Sequence, residues 1–415
     1  MTRSIHSTHT AVPRGDPADE TREREVSRRG LLKGTGMGVL TIAVAGTGAV
    51  SYRAYDNRLL GPTDGTAFDA WRHWRDEPGT RGMVAAAVLA ASPHNTQPWI
   101  FRIGDTWIDL LAAPARRTAA TDPYGREMRV GLGCALENLV LAARARGYEP
   151  RVDLLPDAPE PRLVARVELA VGPVQHSALY DAIGERHTNR GPYAKESLPD
   201  GFLAELAALA DDSGPVTPVW LTTSRARREM GGLMVDAARM VTADEAQSED
   251  GFRWFRGDAD AIERHRDGLT LDGQGLNSVT TAVAKLLPAT SRASGDTFWV
   301  KQTRTVHTRT AAAYGVLLVA DPRDPAQQLS GGRLLQRIHL AVTSRGLAMQ
   351  HMNQITERID RDLGLGRQPE FGPRLAALVE PAAGSGRQAL VAFRLGRPTR
   401  SGRLSPRRPA SEVIS

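Results

Sequence analysis

"ASPHNTQPW", residues 91–99, follows the small-residue run "GMVAAAVLA" and leads into "IFRIGDTWIDLLAA". A tight turn between buried elements needs only one or two polar residues. Here Ser92, His94, Asn95, Thr96 and Gln97 supply hydroxyl, imidazole and amide groups in succession, and Pro93 stiffens the turn. Such a loop suits the hydrogen-bonding rim of a flat ligand whose other end is apolar; a plain β-turn is the alternative. Working outward, "WIFRIGDTWIDLLAA" reads as two short strands joined by a Gly-Asp hairpin. "RVGLGCALENLVLAARARGYEP" reads as a helix with Leu132, Leu136, Leu139 and Ala143 on one face and Gly147 ending it. "PRLVARVELAVG" is a further strand.

A second pass of related grammar starts near residue 176. "SALYDAIGERHTNRGPY" reads as a helix running into a polar turn, "AAAYGVLLVADP" as a strand, and "GGRLLQRIHLAVTSRGLAMQHMNQ" as a helix with Leu334, Ile338 and Ala341 on one face and Gly346 at its end. Strand then helix, closed by Arg-Gly, occurs in both passes and indicates a weak internal duplication. Within "RHTNR", Arg186, Thr188 and Arg190 alternate. In an extended segment they point one way, and two guanidinium groups with a hydroxyl can hold one phosphate. A solvated Arg-rich turn is the alternative, as a basic tail is for Arg407 and Arg408 in "SPRRP". Residues 241–300 carry aromatic and charged residues without clean periodicity, and a stretch that long is usually functional or mobile.

A length of 415 residues suggests two domains or half-domains, and 41% hydrophobic residues support a packed core. Net charge is +6, and Lys occurs only at 33, 195, 285 and 301, so nearly all 53 basic residues are Arg. They are scattered rather than gathered in a stripe, which argues against a nucleic-acid partner. Cys134 is the only cysteine, which excludes an intrachain disulfide and a Cys-cluster metal site; no metal is expected, and Cys134 reads as a small core residue. Residues 1–26 have the composition of a disordered leader. Residues 27–52, with Arg28, Arg29, Lys33 and the apolar "MGVLTIAVAGTGAV", resemble a twin-arginine signal. The expected partner is then the export machinery, and the destination lies outside the cytoplasm. Cleavage after Ala43-Val44-Ala45 and an uncleaved membrane anchor reaching Val50 both stay open, the latter short of the roughly 20 apolar residues of a comfortable span. A chance Arg pair on a cytoplasmic protein is the alternative. Residues 53–65 read as a linker.

"SPHNTQPWIF", "DPYGREMRVGLGCALENLVLAARARGY", "RHTNRGPY", "RGLAMQHMNQ" and "SPRRP", in this order, resemble the nitroreductase superfamily and in particular its Acg-like branch of single-chain flavoproteins. The likeness runs from about residue 66 to the end. Ordinary members are homodimers with two FMN sites, each assembled from both subunits. Here the first half keeps the loop with Ser92, Pro93, His94 and Asn95 but has no Arg-x-Thr-x-Arg. The second keeps Arg186, Thr188, Arg190, Asn353, Gln354, Arg407 and Arg408 but lacks an Asn-x-Gln-Pro-Trp loop. These complementary losses imply an α+β chain of two fused halves, 66–175 and 176–415: an intramolecular pseudo-dimer, monomeric, with one non-covalent FMN. The resemblance assigns the phosphate to Arg186, Thr188, Arg190 and one of Arg407 and Arg408. It assigns ring and ribityl contacts to Ser92, Pro93, His94 and Asn95, and backbone near the flavin N5 to Asn353 and Gln354. The family often has Glu-Gly at that last place, and this chain has Asn353-Gln354. Residues 241–300 are expected to be a lid. The implied activity is electron transfer from a small-molecule donor to a small nitroaromatic or quinone-like acceptor, with no acid–base residue assigned. A lidded protein that sequesters flavin, and a basic protein that binds surfaces, are the competing classes.

Overall fold

The computed structural model describes residues 63–157, 159–210, 214, 216–287, 290–384 and 386–415. The expected leader, the signal or anchor, and nearly all of the linker lie outside the described residues. Among those described, no helix is long and apolar enough to cross a membrane.

The strands are β1 Trp99–Ile103, β2 Trp107–Ala112, β3 Tyr148–Leu154, β4 Leu163–Val171, β5 Thr217–Leu221, β6 Phe255–Arg256, β7 Leu269–Thr270, β8 Ala313–Val319, β9 Ala348–His351 and β10 Gln388–Gly396. They form two four-stranded antiparallel sheets, ordered β1-β2-β4-β3 and β5-β8-β10-β9, and a short parallel pair, β6-β7. The two orders are the same: in each half the first strand takes one edge, the second and fourth lie inside, and the third takes the other edge. The chain is thus a mixed α+β protein.

The helices used below are α1 Gly79–Ala87, α2 Arg126–Ala145, α3 Ser224–Ala243, α4 Glu245–Phe252, α5 Arg292–Gln302, α6 Pro325–Ser344, α7 Gln354–Gly364 and α8 Phe371–Ala383. In each half one long helix, α2 or α6, joins the second strand to the third. Asp324 caps α6 by accepting from the Ala326 and Gln327 N–H groups, with Pro325 in the first turn. The carboxylate of Asp122 does the same work for α2 from just ahead of its start, accepting from the Glu127 and Met128 N–H groups. Gly147 and Gly346 follow the two helices with φ of 81° and 65°, where a Cβ is strained.

α2 and α6 pack against each other across a glycine pair. A Cβ on Gly133 would strike the Leu329 carbonyl and the Gly332 Cα, and a Cβ on Gly332 would strike the Val130 carbonyl and the Gly133 Cα. The contact is reciprocal. Arg129 donates to the Gln328 Oε1 at 3.2 Å across 199 positions of sequence, the separation that also relates Val130 to Leu329, Gly133 to Gly332, and Gly147 to Gly346. Reciprocity of this kind is what a two-fold axis imposes on a self-complementary interface.

One apolar cluster spans both halves, from Trp99, Leu136 and Ile183 to Leu334, Ile338 and Phe393, so the boundary near residue 175 is not a gap in the core. A second cluster, with Met234, Val316 and Phe371, fills the space under α3 and α8. The C-terminus returns to the first half, where the Ser415 N–H donates to the Phe101 carbonyl on edge strand β1 at 2.9 Å. Strands β3, β5, β9 and β10 lie outside the strands that the sequence pattern predicts.

Candidate cofactor site

The loop ahead of β1 is held in an unusual backbone. His94, Asn95 and Gln97 have φ of 46°, 55° and 52°, three of the five non-glycine residues with positive φ among those described. Each such residue costs on the order of 1–2 kcal/mol, so the surroundings must over-determine the loop. They do. The Gln97 N–H donates to the Ser92 Oγ, the Asn95 side-chain amide to the carbonyls of Gly268 and Pro406, the Gln97 side-chain amide to the Arg266 carbonyl, and the Arg408 N–H back to the Gln97 Oε1. The turn is therefore locked from residues 266–268 on one side and 406–408 on the other.

A cavity of about 280 Å³ opens against this loop. Ser92, Pro93 and His94 line it from the first half, and Thr188, Arg190, Asn353 and Gln354 line it from the second, so seven of the expected residues meet at one place. Val130, Leu335 and Met352 give it an apolar floor. Phe252, Phe255, Phe298 and Trp299 come from residues 241–300, with Phe252 and Phe255 stacked at 6.5 Å. That segment forms a wall of the cavity. Its inner part is fastened to the first half, since Asp250 accepts from the Ala120 and Thr121 N–H groups and Asp267 pairs with both Arg116 and Arg256.

Four expected residues stand elsewhere. Arg186 does not line the cavity: it donates to the Leu89 carbonyl at 3.1 Å and lies 5.9 Å from the Trp71 ring. No strand forms over residues 187–190, so the two-residue alternation that should have aligned Arg186 with Thr188 and Arg190 does not hold. Arg407 is buried against the same Trp71 at 4.8 Å, bonded to Asn95, Ser405, Pro406 and the Ala90 carbonyl. Asn95 is spent on holding the loop. Arg408 turns to Glu412, donating to its carbonyl at 2.8 Å. Arg186 and Arg407 nevertheless bind the carbonyls of Leu89 and Ala90, the two residues ahead of the cavity-lining Ala91.

The charge balance here is lopsided. Arg186, Arg190, Arg394 and Arg407 have no carboxylate partner among the described residues, and the Nε groups of Arg186 and Arg407 have no hydrogen-bond partner. Burial lowers the pKa of all four, Arg186 and Arg190 to about 10, and the proximity of Arg186 lowers Arg407 further. The histidines beside them are held below the ordinary imidazole range. Burial takes His94 down to about 4, with Asp250 opposing and Arg190 adding to the fall, and takes His351 to about 3. His307 is pushed well below its ordinary value by burial and by Arg394 and Arg190, with the Arg190 backbone opposing.

Sequence reading missed Arg394, His307, Gln247, Glu127 and Glu357. All but Arg394 line the cavity, while Arg394 stacks on Tyr193 and donates to the Gln350 Oε1. One signal was available for Glu127. It shares a helical face with Val130, Gly131 and Cys134, which line the cavity with it.

No family model matches the chain. Over 144 residues it is 35% identical to a Mycobacterium tuberculosis protein provisionally named an NAD(P)H nitroreductase, covering 34% of this chain and 42% of that protein. Over 128 residues it is 32% identical to the M. tuberculosis protein provisionally named NAD(P)H nitroreductase acg, covering 30% and 38%. The chain thus matches less than half the length of these curated relatives. Among solved structures it is similar to a nitroreductase with bound FMN from Desulfitobacterium hafniense, at 15% identity and a TM-score of 0.35 over 58% of this chain and 98% of that one. It is also similar to a protein from Anabaena variabilis provisionally described as a nitroreductase, at 12% identity and a TM-score of 0.45 over 79% and 91%.

Proposed function

We propose that this chain is a single-chain FMN oxidoreductase of the nitroreductase type. In this reading it is a fused pseudo-dimer holding one flavin between its halves, and it passes electrons from a small-molecule donor to a small nitroaromatic or quinone-like acceptor. One observation carries the reading: among the described residues the buried Arg186, Arg394 and Arg407 and the half-buried, cavity-lining Arg190 have no carboxylate to balance them. Arginine does not give up its proton, and an uncompensated buried charge costs several kcal/mol. A dianionic phosphate removes that cost. A cavity with this cationic side, a polar loop edge and an aromatic wall fits a flavin mononucleotide.

Arg190 and Thr188 would hold the phosphate, with Arg186 and Arg407 adding positive potential from beside Leu89 and Ala90. Ser92 and His94 would meet the polar rim. The Asn353 side chain is committed to the Ala392 N–H at 3.0 Å, so that segment offers its backbone rather than its side chain. Flavin supplies the hydride chemistry, while the chain binds, orients and excludes water. Residues 241–300 act as the lid in this reading, and the Arg28-Arg29 leader directs the protein out of the cytoplasm.

The full chain, purified, is expected to be yellow and to release one equivalent of FMN. Colourless protein that takes up no added FMN overturns the proposal. Bleaching by NAD(P)H without air, then recovery on adding a quinone, is expected of turnover. A spectrum that stays oxidised favours sequestration.

A further inference from the structure

The cavity wall also carries two carboxyl groups for which the flavin reading has no use. Glu127, in the first turn of α2, and Glu357, in the first turn of α7, are 3% and 8% exposed and line the same cavity. They come from different halves of the chain and act electrostatically on each other beside the same Arg126, and the Glu127 Oε1 has no hydrogen-bond partner among the described residues. The charged groups around them are Asp122, Asp360 and Arg126. Arg126 is already committed: its Nε donates to Asp360 at 2.7 Å and another nitrogen to the Leu390 carbonyl at 2.5 Å, leaving Glu127 3.7 Å from the third. One guanidinium therefore faces four buried carboxyl groups. Burial raises both Glu127 and Glu357 above the ordinary carboxylate range, helped by repulsion from Glu357 on Glu127 and from Asp122 and Asp360 on Glu357.

A second, independent feature marks this side of the cavity as a place for a ligand atom. Gln247 is 1% exposed and lines the cavity; its Oε1 is held by Arg358, the neighbour of Glu357, and its Nε2 has no partner among the described residues. A buried amide N–H without a partner calls for an acceptor such as a carbonyl oxygen.

We propose that Glu127 and Glu357 share one proton and are the acid that protonates the acceptor oxygen during its reduction. This rests on the oxidoreductase reading above. A bound flavin in its reduced, anionic form would supply the hydride, and the pair would supply the proton to the quinone oxygen. The carboxyl O–H breaks as the acceptor O–H forms, the product is the hydroquinone, and the pair is left as two carboxylates that recover a proton from water. Gln247 positions the oxygen, and the pair makes the cavity prefer acceptors that must gain a proton with their electrons.

Infrared spectroscopy on the unmodified protein tests the shared proton directly. A protonated-carboxyl C=O band, shifted in D₂O, is expected at neutral pH and should be absent from E127Q/E357Q. No such band in the parent protein overturns the proposal. The catalytic role is tested with two acceptors, benzoquinone and the proton-independent one-electron acceptor ferricyanide. E357Q, and E127Q as the second variant, should lose about a hundredfold in quinone reduction and less than about twofold in ferricyanide reduction. Quinone reduction by the parent should fall as pH rises, and in the variants that fall should vanish. Equal losses with both acceptors would mean a structural role and overturn the proposal. Flavin-free protein that keeps the infrared band would defeat the redox reading while leaving the shared proton standing, so the two failures are distinguishable.

Discussion

The two halves lay down the same four-stranded order but connect it differently, and the site follows from that difference. In the first half, residues 104–106 separate β1 from β2, and residues 155–162 separate β3 from β4. In the second, residues 222–312 occupy the former position and 352–387 the latter. The short connections leave the first half able to contribute a rigid loop and a helix face. The long ones give the second half α3, α4 and α5 to wall the cavity, and α7 to carry Glu357 into it. A mate cavity would need a helix after β3 equivalent to α7, and the chain passes straight on to β4. Among the described residues the first half therefore has no counterpart of the element that carries Glu357.

Breaking the near-symmetry at its axis has the largest expected effect. Gly133→Leu and Gly332→Leu should each lose at least about 3 kcal/mol in denaturant unfolding, or fail to accumulate folded, because the side chain meets backbone and not a yielding side chain. The two losses should match; a tolerated substitution on either helix would show that the contact is not reciprocal. Next comes the unequal use of arginines. Arg190→Ala should cost FMN binding about 2–5 kcal/mol, and Arg408→Ala less than about 0.5 kcal/mol, measured by titrating apoprotein. Equal losses would erase the distinction between cavity and tail. The smallest effect is in pH dependence. Glu357 binds its proton more tightly folded than unfolded, so its contribution to stability is complete below pH about 4.5 and drains away as pH rises through about 7. The buried His94 runs the other way: its contribution is present above pH 6.5 and is lost as pH falls through about 4. Glu357→Gln should flatten the first slope, seen as the difference in guanidinium midpoint from the parent, and His94→Gln the second. Unchanged slopes would detach these groups from the cavity.

Much of this was legible in sequence, for reasons that can be stated residue by residue. α2 and α6 announce themselves by leucines at three- and four-residue spacing and by Gly147 and Gly346, because each helix buries one face and needs a left-handed residue to stop. The β1–β2 hairpin and β8 stand out for similar reasons. β3 does not, because its exposed Glu149, Arg151 and Asp153 alternate with half-buried neighbours, as fits an edge strand. β10 hides behind Arg394, a buried cation in an otherwise apolar run. The meeting of residues 92–94 with 188–190 was legible as complementary motifs, but the direction of Arg186 was not, since alternation describes strands. Nor were Glu127 and Glu357 readable as buried. A carboxylate in a helix's first turn is ordinarily a solvated partner for the helix dipole, and only tertiary packing reverses that.

The separation of β5 from β8 also sets an order of assembly. The β1–β2 hairpin closes across a few residues, whereas the corresponding pair in the second half must bring together ends on either side of residues 222–312, about 3 kcal/mol more loop-closure entropy. A nascent chain thus completes its first sheet early and its second late. Until residues 325–344 have left the ribosome, the Val130–Gly133 face of α2 lacks the helix that packs against it. The glycine contact between α2 and α6 is therefore among the last parts of the interior to close.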